Sequence, residues 1–331
     1  MREQAAVDPD CNIRTTERIV AVGDVHGAFD RFVAILQEAG LIDRRRRWSG
    51  GRAILVQTGD VVDRGPDSRE ALDLLRKLEG EAARAGGRVY ALLGNHEVMR
   101  LHNHRQYISA GEYQEFKTID SEDLRERAFE LVAKENADRA RAAGQAFDDR
   151  AFRKLFFEEN PLGSVEMQIA FSPTGEYGKW VRERDAVIKI NDILFLHGGI
   201  SPAVAPMGCA AINKTIRDEL KLPAPAEPDK FLATRADGPL WYRGLVDGTA
   251  GIGAAEIDAI MKPFDARAIV IGHTSSVDYK IKAVFEGRVV LIDTGMLNGT
   301  FYPGGVPSAL EIAGETWTAI YEGKREVVRD K

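Results

Sequence analysis

The amino-acid sequence predicts an α/β fold with two β-sheets and a helical insertion, and three observations carry that prediction. Over residues 18–100, short apolar runs alternate with amphipathic stretches of helical period. Over residues 99–184 the composition shifts to Glu, Arg, Lys and Ala, with scattered Phe, Leu and Tyr. Beyond that stretch the short apolar runs return, now separated by turn residues.

Taken in order, a strand over residues 19–22 hands over to GDVHG at 23–27, and a helix is expected over 28–39. A second strand, 54–56, leads to GDVVDRG at 59–65 and a helix over 68–85. Ser68 lies in the N-cap region of that helix, Ala71, Leu72, Leu74, Leu75 and Leu78 supply its apolar face, and Gly86 with Gly87 stop it. A third strand, 89–93, runs into GNHE at 94–97. Strands joined by helices in this way form a parallel βαβαβ unit with right-handed crossovers.

Within the insertion, Phe152, Leu155 and Phe156 form an i, i+3, i+4 stripe that reads as packing. The helical run is expected to end near Asn160 and Pro161, and residues 172–180 read as a loop. Runs at 187–190 and 193–196, joined by Asn191 and Asp192, predict a hairpin that delivers His197 at the head of HGG. A helix over 209–220, a Pro-rich surface connection at 223–228 and a strand over 268–271 ending at GHT (272–274) follow. Residues 281–285, 289–292 and 317–321 predict a mainly antiparallel second sheet. The expected organisation is a tail over 1–17 and one domain over 18–331, interrupted by the helical insertion at about 100–184.

Composition excludes several function classes. At 331 residues, 44% hydrophobic and 29% charged, the chain can bury a large core. Its net charge of −6 gives no support for a nucleic-acid partner. Arg44, Arg45, Arg46 and Arg47 read as a solvated turn in preference to a patch for phosphorylated partners. Cys11 and Cys209 are too few for a disulfide framework and neither lies in a CxxC, so redox chemistry is expected to play no part. No signal-peptide core is visible, and no apolar run approaches the roughly 20 residues of a membrane span. A cytoplasmic protein with no membrane partner is expected.

The chemistry lies in the five polar blocks. Two divalent cations held close together need a bridging carboxylate, further oxygen and imidazole ligands, and open positions for water and substrate. Asp24, His26, Asp60, Asn95, His197 and His273 supply that set. Any one block is a weak signal; five in this order, each after a strand, are a specific one. His102 and His104, outside the blocks, are expected to face solvent.

The order and content of the blocks resemble the calcineurin-like metallophosphoesterases, and within them the phosphoprotein phosphatase group, over about residues 18–299. The resemblance implies two mixed β-sheets packed as a sandwich and flanked by helices. It implies that Asp24, His26 and Asp60 hold one metal, and that Asp60 bridges to a second held by Asn95, His197 and His273. The implied reaction is hydrolysis of a phosphomonoester by in-line attack of metal-activated water. His96 is the implied general acid, with Asp63 holding its ring and favouring the charged form. Arg64 matches the phosphate clamp, alongside Asn95 and His96 as further phosphate-binding residues. Arg243, in GPLWYRGL, is the expected second clamp in preference to Arg235, and Glu97 is expected to support the helix start rather than to ligate.

HGG, GKWVR, GPLWYRG and DTGMLNG further resemble the Shewanella-like branch of that group. That branch implies a phosphorylated protein or peptide as partner, with phosphotyrosine as well as phosphoserine and phosphothreonine open. Two divalent ions are the implied cofactors, manganese expected in vitro, with iron and zinc also suited to mixed N/O donors. The insertion, residues 177–182 and residues 296–302 are candidate walls of the substrate pocket; Tyr177 and Trp180 could supply an aromatic face, with core packing the better reading of Trp180. Two rivals stand beside this reading. A diadenosine polyphosphate hydrolase shares GDxHG, but Asp63 and Glu97 weigh against it; a silent phospho-binding scaffold would lack a ligand or His96, and neither is missing. The sequence fixes no oligomeric state.

Overall fold

The computed structural model describes residues 11–246 and 252–330, so the first ten residues of the expected tail lie outside the described residues. Strands β1 (Ile19–Val22), β2 (Ile54–Gln57) and β3 (Arg88–Ala91) pair in parallel, crossed over by helices α1 (Phe29–Glu38) and α2 (Ser68–Arg84). The insertion follows as α3 (Asn95–Leu101), α4 (Ala110–Phe116), α5 (Ser121–Ala142), α6 (Asp149–Glu159), α7 (Ser164–Phe171) and α8 (Glu176–Arg182). The second half contains β4 (Val187–Ile190), β5 (Ile193–Leu196), α9 (Gly208–Glu219), α10 (Ala254–Met261), β6 (Ala268–Ile271), β7 (Lys282–Val284) and β8 (Val289–Leu291). It closes on β9 (Ser308–Ala313), β10 (Thr316–Tyr321) and β11 (Lys324–Asp330).

Two mixed sheets face each other, ordered β11-β10-β9-β1-β2-β3 and β4-β5-β6-β8-β7. Alternate residues of each strand divide between two cores, as the two-residue period of a strand requires. Ile19, Ala21 and Val56 meet Phe195, Val270 and Val290 between the sheets, while Val20, Val22 and Leu55 pack outward under Phe32, Leu36, Leu72 and Leu75 of the helices.

Five expectations are corrected. Residues 317–321 do not join the second sheet: β10 pairs with β9, and β9 runs antiparallel to β1 with Ile19 opposite Ile312. Pairing there covers the edge of β1, which would otherwise present unpaired N–H and C=O groups, and it points Leu310, Ile312 and Trp317 into the core between the sheets. The second sheet itself is mixed, with β5, β6 and β8 parallel and the two outer strands antiparallel. Residues 176–180 form the start of α8 and not a loop, because Tyr177 is buried between Phe116 and Phe171. Ser68 is the first helical residue with Asp67 as N-cap; the free N–H groups of Arg69 and Glu70 are met instead by Glu115 from α4, at 2.9 and 3.1 Å. Leu155 turns outward at 49% exposure, so only Phe152 and Phe156 of the proposed stripe pack, against Phe129.

The fifth correction concerns the cysteines. Cys11 and Cys209 form a disulfide across a sequence separation of 198 residues, with Cα atoms 5.8 Å apart. It fastens the N-terminal segment to the start of α9, where Ile13 N donates to Lys189 O (3.0 Å) and its carbonyl accepts from Asn191 N (2.8 Å) along β4. A structural disulfide persists in oxidising compartments, so the cysteines lend the cytoplasmic expectation no support. Among the described residues, no helix is long and apolar enough to cross a membrane.

Candidate active site

The five blocks converge at the carboxyl ends of β1, β2, β3, β5 and β6, where an α/β sheet leaves its loops free to build a site. Backbone geometry there is unusual. His26, Asp60, Asp63, Arg64 and His273 all have positive φ, between 47° and 71°. A non-glycine side chain pays steric strain in that region, and here hydrogen bonds hold it in place. Val25 N and His26 N both donate to Asp60 O at 2.9 Å, and Gly272 N donates to His197 O at 2.9 Å. Close approach also fixes glycine at 272, where a Cβ would lie 2.5 Å from Asp24 Oδ1.

Asp60 is the hub. His26 Nε2 and His197 Nε2 lie 3.6 and 3.3 Å from its Oδ2, and His96 Nε2 lies 3.8 Å away. Two groups able to hold a metal share it: His26, Asp60 and His96, and Asp60, His197 and His273. Asp24 stands 3.7 Å from His26 Nε2 and accepts from His273 N at 2.9 Å, while Asn95 Oδ1 lies 2.8 Å from His197 Nε2. All six expected ligands are thus brought together and buried. Burial alone would raise the Asp60 carboxyl, but His197 and His96 hold it well below the usual carboxylate range. Burial, reinforced by Asp293 and Asp60, pushes Asp24 well up. Burial lowers His26 to about 3 and, with His197 and Arg243, lowers His273 to about 2, so both rings are neutral donors near pH 7.

This donor set suits divalent cations. His273 Nε2 and Asp293 Oδ2 are buried with no hydrogen-bond partner among the described residues. Three carboxyl groups, Asp24, Asp60 and Asp293, are gathered in one buried site around the His26, His197 and His273 imidazoles, a mixture of hard and borderline donors that Mn, Fe or Zn accept.

Around the hub stand the other expected residues. His96 Nδ1 lies 2.7 Å from Asp63 Oδ2, leaving Nε2 turned to the site. Burial opposes the Asp63 charge, yet Arg100 and His96 hold its carboxyl below the usual range. Arg64 reaches His26 Nε2 at 2.8 Å, His96 Nε2 at 3.2 Å and the Tyr302 hydroxyl. Arg243 donates to His273 O (3.0 Å) and Thr274 Oγ1 (2.7 Å), beside the site, whereas Arg235 is paired with Asp237 at 2.8 Å. Glu97 grips the Asp60 loop: its carboxylate accepts from Asp60 N, Val61 N and Gly94 N, each at 2.8 Å.

Trp180 packs against the core as expected, and Tyr177 is no pocket wall either; their polar ends bond Glu79 (3.0 Å) and Asp73 (2.8 Å) on α2. The aromatic wall is built instead by Tyr107, Phe301 and Tyr302, whose rings lie 5.5, 5.7 and 5.5 Å from the Arg64 guanidinium carbon. Phe301 and Tyr302 fall in the expected 296–302 segment, and Tyr107 falls in the insertion, also an expected candidate, though no signal singled out that residue. His104 is exposed, but His102 is half-buried, and burial lowers it to about 4. Asp293 was also missed. It follows β8 as Asp24 follows β1, and burial raises it to about 6, against the hydrogen bond from Gly295 N.

A family model described as calcineurin-like phosphoesterase matches residues 17–276. Shewanella-like protein phosphatase 1 of Plasmodium berghei is 27% identical over 91% of this chain and 73% of its own length. Shewanella-like protein phosphatase 2 of Arabidopsis thaliana is 28% identical over 92% and 77%. A solved cold-active protein-tyrosine phosphatase of a psychrophilic Shewanella superposes with a TM-score of 0.72 at 26% identity, covering 97% of this chain and 83% of the other.

Proposed function

The chain belongs to the calcineurin-like phosphoesterases, and from that premise we propose that it is a metal-dependent protein phosphatase with a preference for phosphotyrosine. The observation that carries this reading is one buried cluster in which Asp24, His26, Asn95, His197 and His273 gather around Asp60, with Arg64 and the His96–Asp63 pair in contact with it. Two divalent cations held there would supply Lewis-acid charge to the phosphoryl oxygens and make a bound water a nucleophile at neutral pH.

The chain's own residues do the rest. His26 Nε2 cannot both ligate a metal and accept from Arg64, so a loaded site would release that one bond of the guanidinium, whose planar fork suits two phosphoryl oxygens. His96 is anchored through Nδ1 on Asp63; its Nε2, which accepts from Arg64 at 3.2 Å in this structure, would be released when Arg64 turns to the phosphoryl oxygens, and its protonated form could then deliver a proton to the leaving oxygen. Arg243, fastened to the His273–Thr274 loop, adds a second positive charge at the rim. Tyr107 and Phe301, 37% and 51% exposed, offer flat apolar faces beside Arg64 against which a phenolic leaving group can lie. The names of the relatives, protein phosphatases and a protein-tyrosine phosphatase, support the same class of substrate.

The test is hydrolysis of matched phosphotyrosine, phosphothreonine and phosphoserine peptides by Mn²⁺-loaded protein, beside a dinucleotide polyphosphate. Fastest turnover is expected on phosphotyrosine. Turnover of the dinucleotide alone would replace this reading with a diadenosine polyphosphate hydrolase.

A further inference from the structure

Behind the His96–Asp63 pair lies a buried ionic cluster that the reaction as described does not use. Asp63 Oδ2 faces His96, and its other oxygen, Oδ1, bonds Arg100 Nη2. Arg100 Nη2 also donates to Glu112 Oε1 at 2.8 Å, and that same oxygen accepts from the backbone N–H of Asp63 at 3.1 Å. Side-chain exposure is 3% for Arg100 and 0% for Asp63 and Glu112, so none of the three charges is solvated.

Two of these anchors come from the insertion. Glu112 is in the first turn of α4, where its carboxylate accepts from Ser109 N at 3.0 Å and its N–H donates to Ser109 Oγ at 3.3 Å. Ser109 in turn donates to Gly65 O at 2.9 Å, and Arg64 N donates to Tyr107 O at 2.7 Å, tying this turn to the loop that carries the phosphate clamp. From α7, Met167 Sδ lies 3.1 Å from Arg100 Nη1, while the Phe171 ring lies 5.2 Å from the guanidinium carbon. The guanidinium is thereby held from two insertion helices at once.

We propose that Arg100 and Glu112 are positioning residues through which the helical insertion fixes the Asp63 carboxylate, and with it the aim of His96 at the leaving oxygen. This rests on the phosphatase reading above and gives the insertion a task within it. A lone carboxylate bonded only to His96 could pivot about its Cβ–Cγ bond. With Oδ1 held by Arg100 and its backbone N–H held by Glu112, Asp63 is fixed at both ends. Charge-assisted bonds between buried groups are the short and directional kind, and misplacing a catalytic group by about 1 Å can cost about 10²-fold in rate.

The test separates proton delivery from general damage. Metal-loaded wild type, Glu112→Gln and Arg100→Lys are assayed on 2,4-dinitrophenyl phosphate, whose leaving group departs without a proton, and on phenyl phosphate and a phosphoserine peptide, whose leaving groups need one. For Glu112→Gln, kcat on the latter two is expected to fall about 10- to 100-fold, with KM nearly unchanged and the dinitrophenyl ester slowed less than about threefold. Arg100→Lys, which keeps the charge but not the fork, is expected to lie between. An equal loss on all three substrates, or no loss, overturns the relay. If Glu112→Gln does not fold, Arg100→Lys and Met167→Leu carry the same comparison, the second with a smaller split of the same sign. A wild type inert towards all three esters would overturn the phosphatase reading and the relay with it; an active wild type with a uniform loss overturns the relay alone.

Discussion

Asp60 at the strand ends and Phe129 in the insertion are both buried, but they are held by different means. Asp60 sits at a φ of 57°, its N–H gripped by Glu97 and its carboxylate accepting from His96 N at 3.0 Å. Every contact there needs a particular atom in a particular place. Phe129 on α5 is held by the rings of Phe152, Phe156 and Phe157 and by Arg153 lying 4.7 Å from its centroid. Apolar packing of that kind accepts substitutes of similar volume. The first region is therefore written in residue identity, and the second in hydrophobic amount and spacing.

The comparison can be broken most directly at Asp60. Asp60→Asn keeps the shape but removes the shared charge, and turnover is expected to fall by about 10³-fold or more, the several kcal/mol that metal-ion catalysis supplies. Metal content measured on the purified variant should fall with it. Retention of a tenth of the activity would show that the hub tolerates exchange as freely as a packed core.

Phe129→Ala probes the other side. Removing a buried ring costs about 3 kcal/mol, the low end for such a truncation, because this cluster is small, with Phe147, Phe152 and Phe157 only partly buried and Phe156 just buried. Hydrogen exchange should rise across α5 and α6, while kcat on phenyl phosphate stays within about threefold of wild type, since α4 carries the contact to Asp63 and α7 the contact to Arg100. A parallel collapse of activity would mean that the insertion and the site unfold as one unit, and the division drawn here would be wrong.

Much of the site was legible because its constraints are local. A buried strand, a glycine and an aspartate, asparagine or histidine fall within a few residues of one another in each block, and in three of the five the aspartate or histidine has positive φ, so each block announces itself. Asp293 obeys the same rule after β8 but stands beside no histidine or asparagine, which left it unmarked. What escaped was the long-range pairing. The alternation in 317–321 shows which side chains face the core and says nothing about which strand lies alongside. Arg100 and Glu112 are 12 residues apart on different helices, and only the fold of the chain between α3 and α4 makes them partners. Cys11 and Cys209 meet across a sequence separation of 198 residues.

The disulfide gives an intermediate case, a fixed bond far from the chemistry. Cys209→Ser is expected to lower stability by about 2 kcal/mol, the low end of the usual range, because Ile13 and Thr15 hold the same segment through backbone bonds. Thermal unfolding with and without reductant reads this directly: wild type in reductant should match the variant, with kcat unaltered in both. A loss of kcat would place the N-terminal segment within the working site, against the geometry.

The smallest effect is expected where the two regions meet. Tyr107 belongs to the segment between α3 and α4, yet its ring lies 5.1 Å from that of His96 and beside Arg64. An aromatic pair adds about 0.5–1.5 kcal/mol beyond its buried area, so Tyr107→Ala should cut the preference for phosphotyrosine over phosphoserine peptides by about 2- to 10-fold. The change should appear in kcat/KM for phosphotyrosine, with phosphoserine nearly unaffected, because a serine side chain has no ring to stack. Tyr107→Phe should keep the preference, since it is the face and not the hydroxyl that is used. Equal losses on both peptides would assign Tyr107 to holding the Arg64 backbone through its carbonyl, a task the side chain serves only indirectly, and the selective surface would then have to be Phe301 alone.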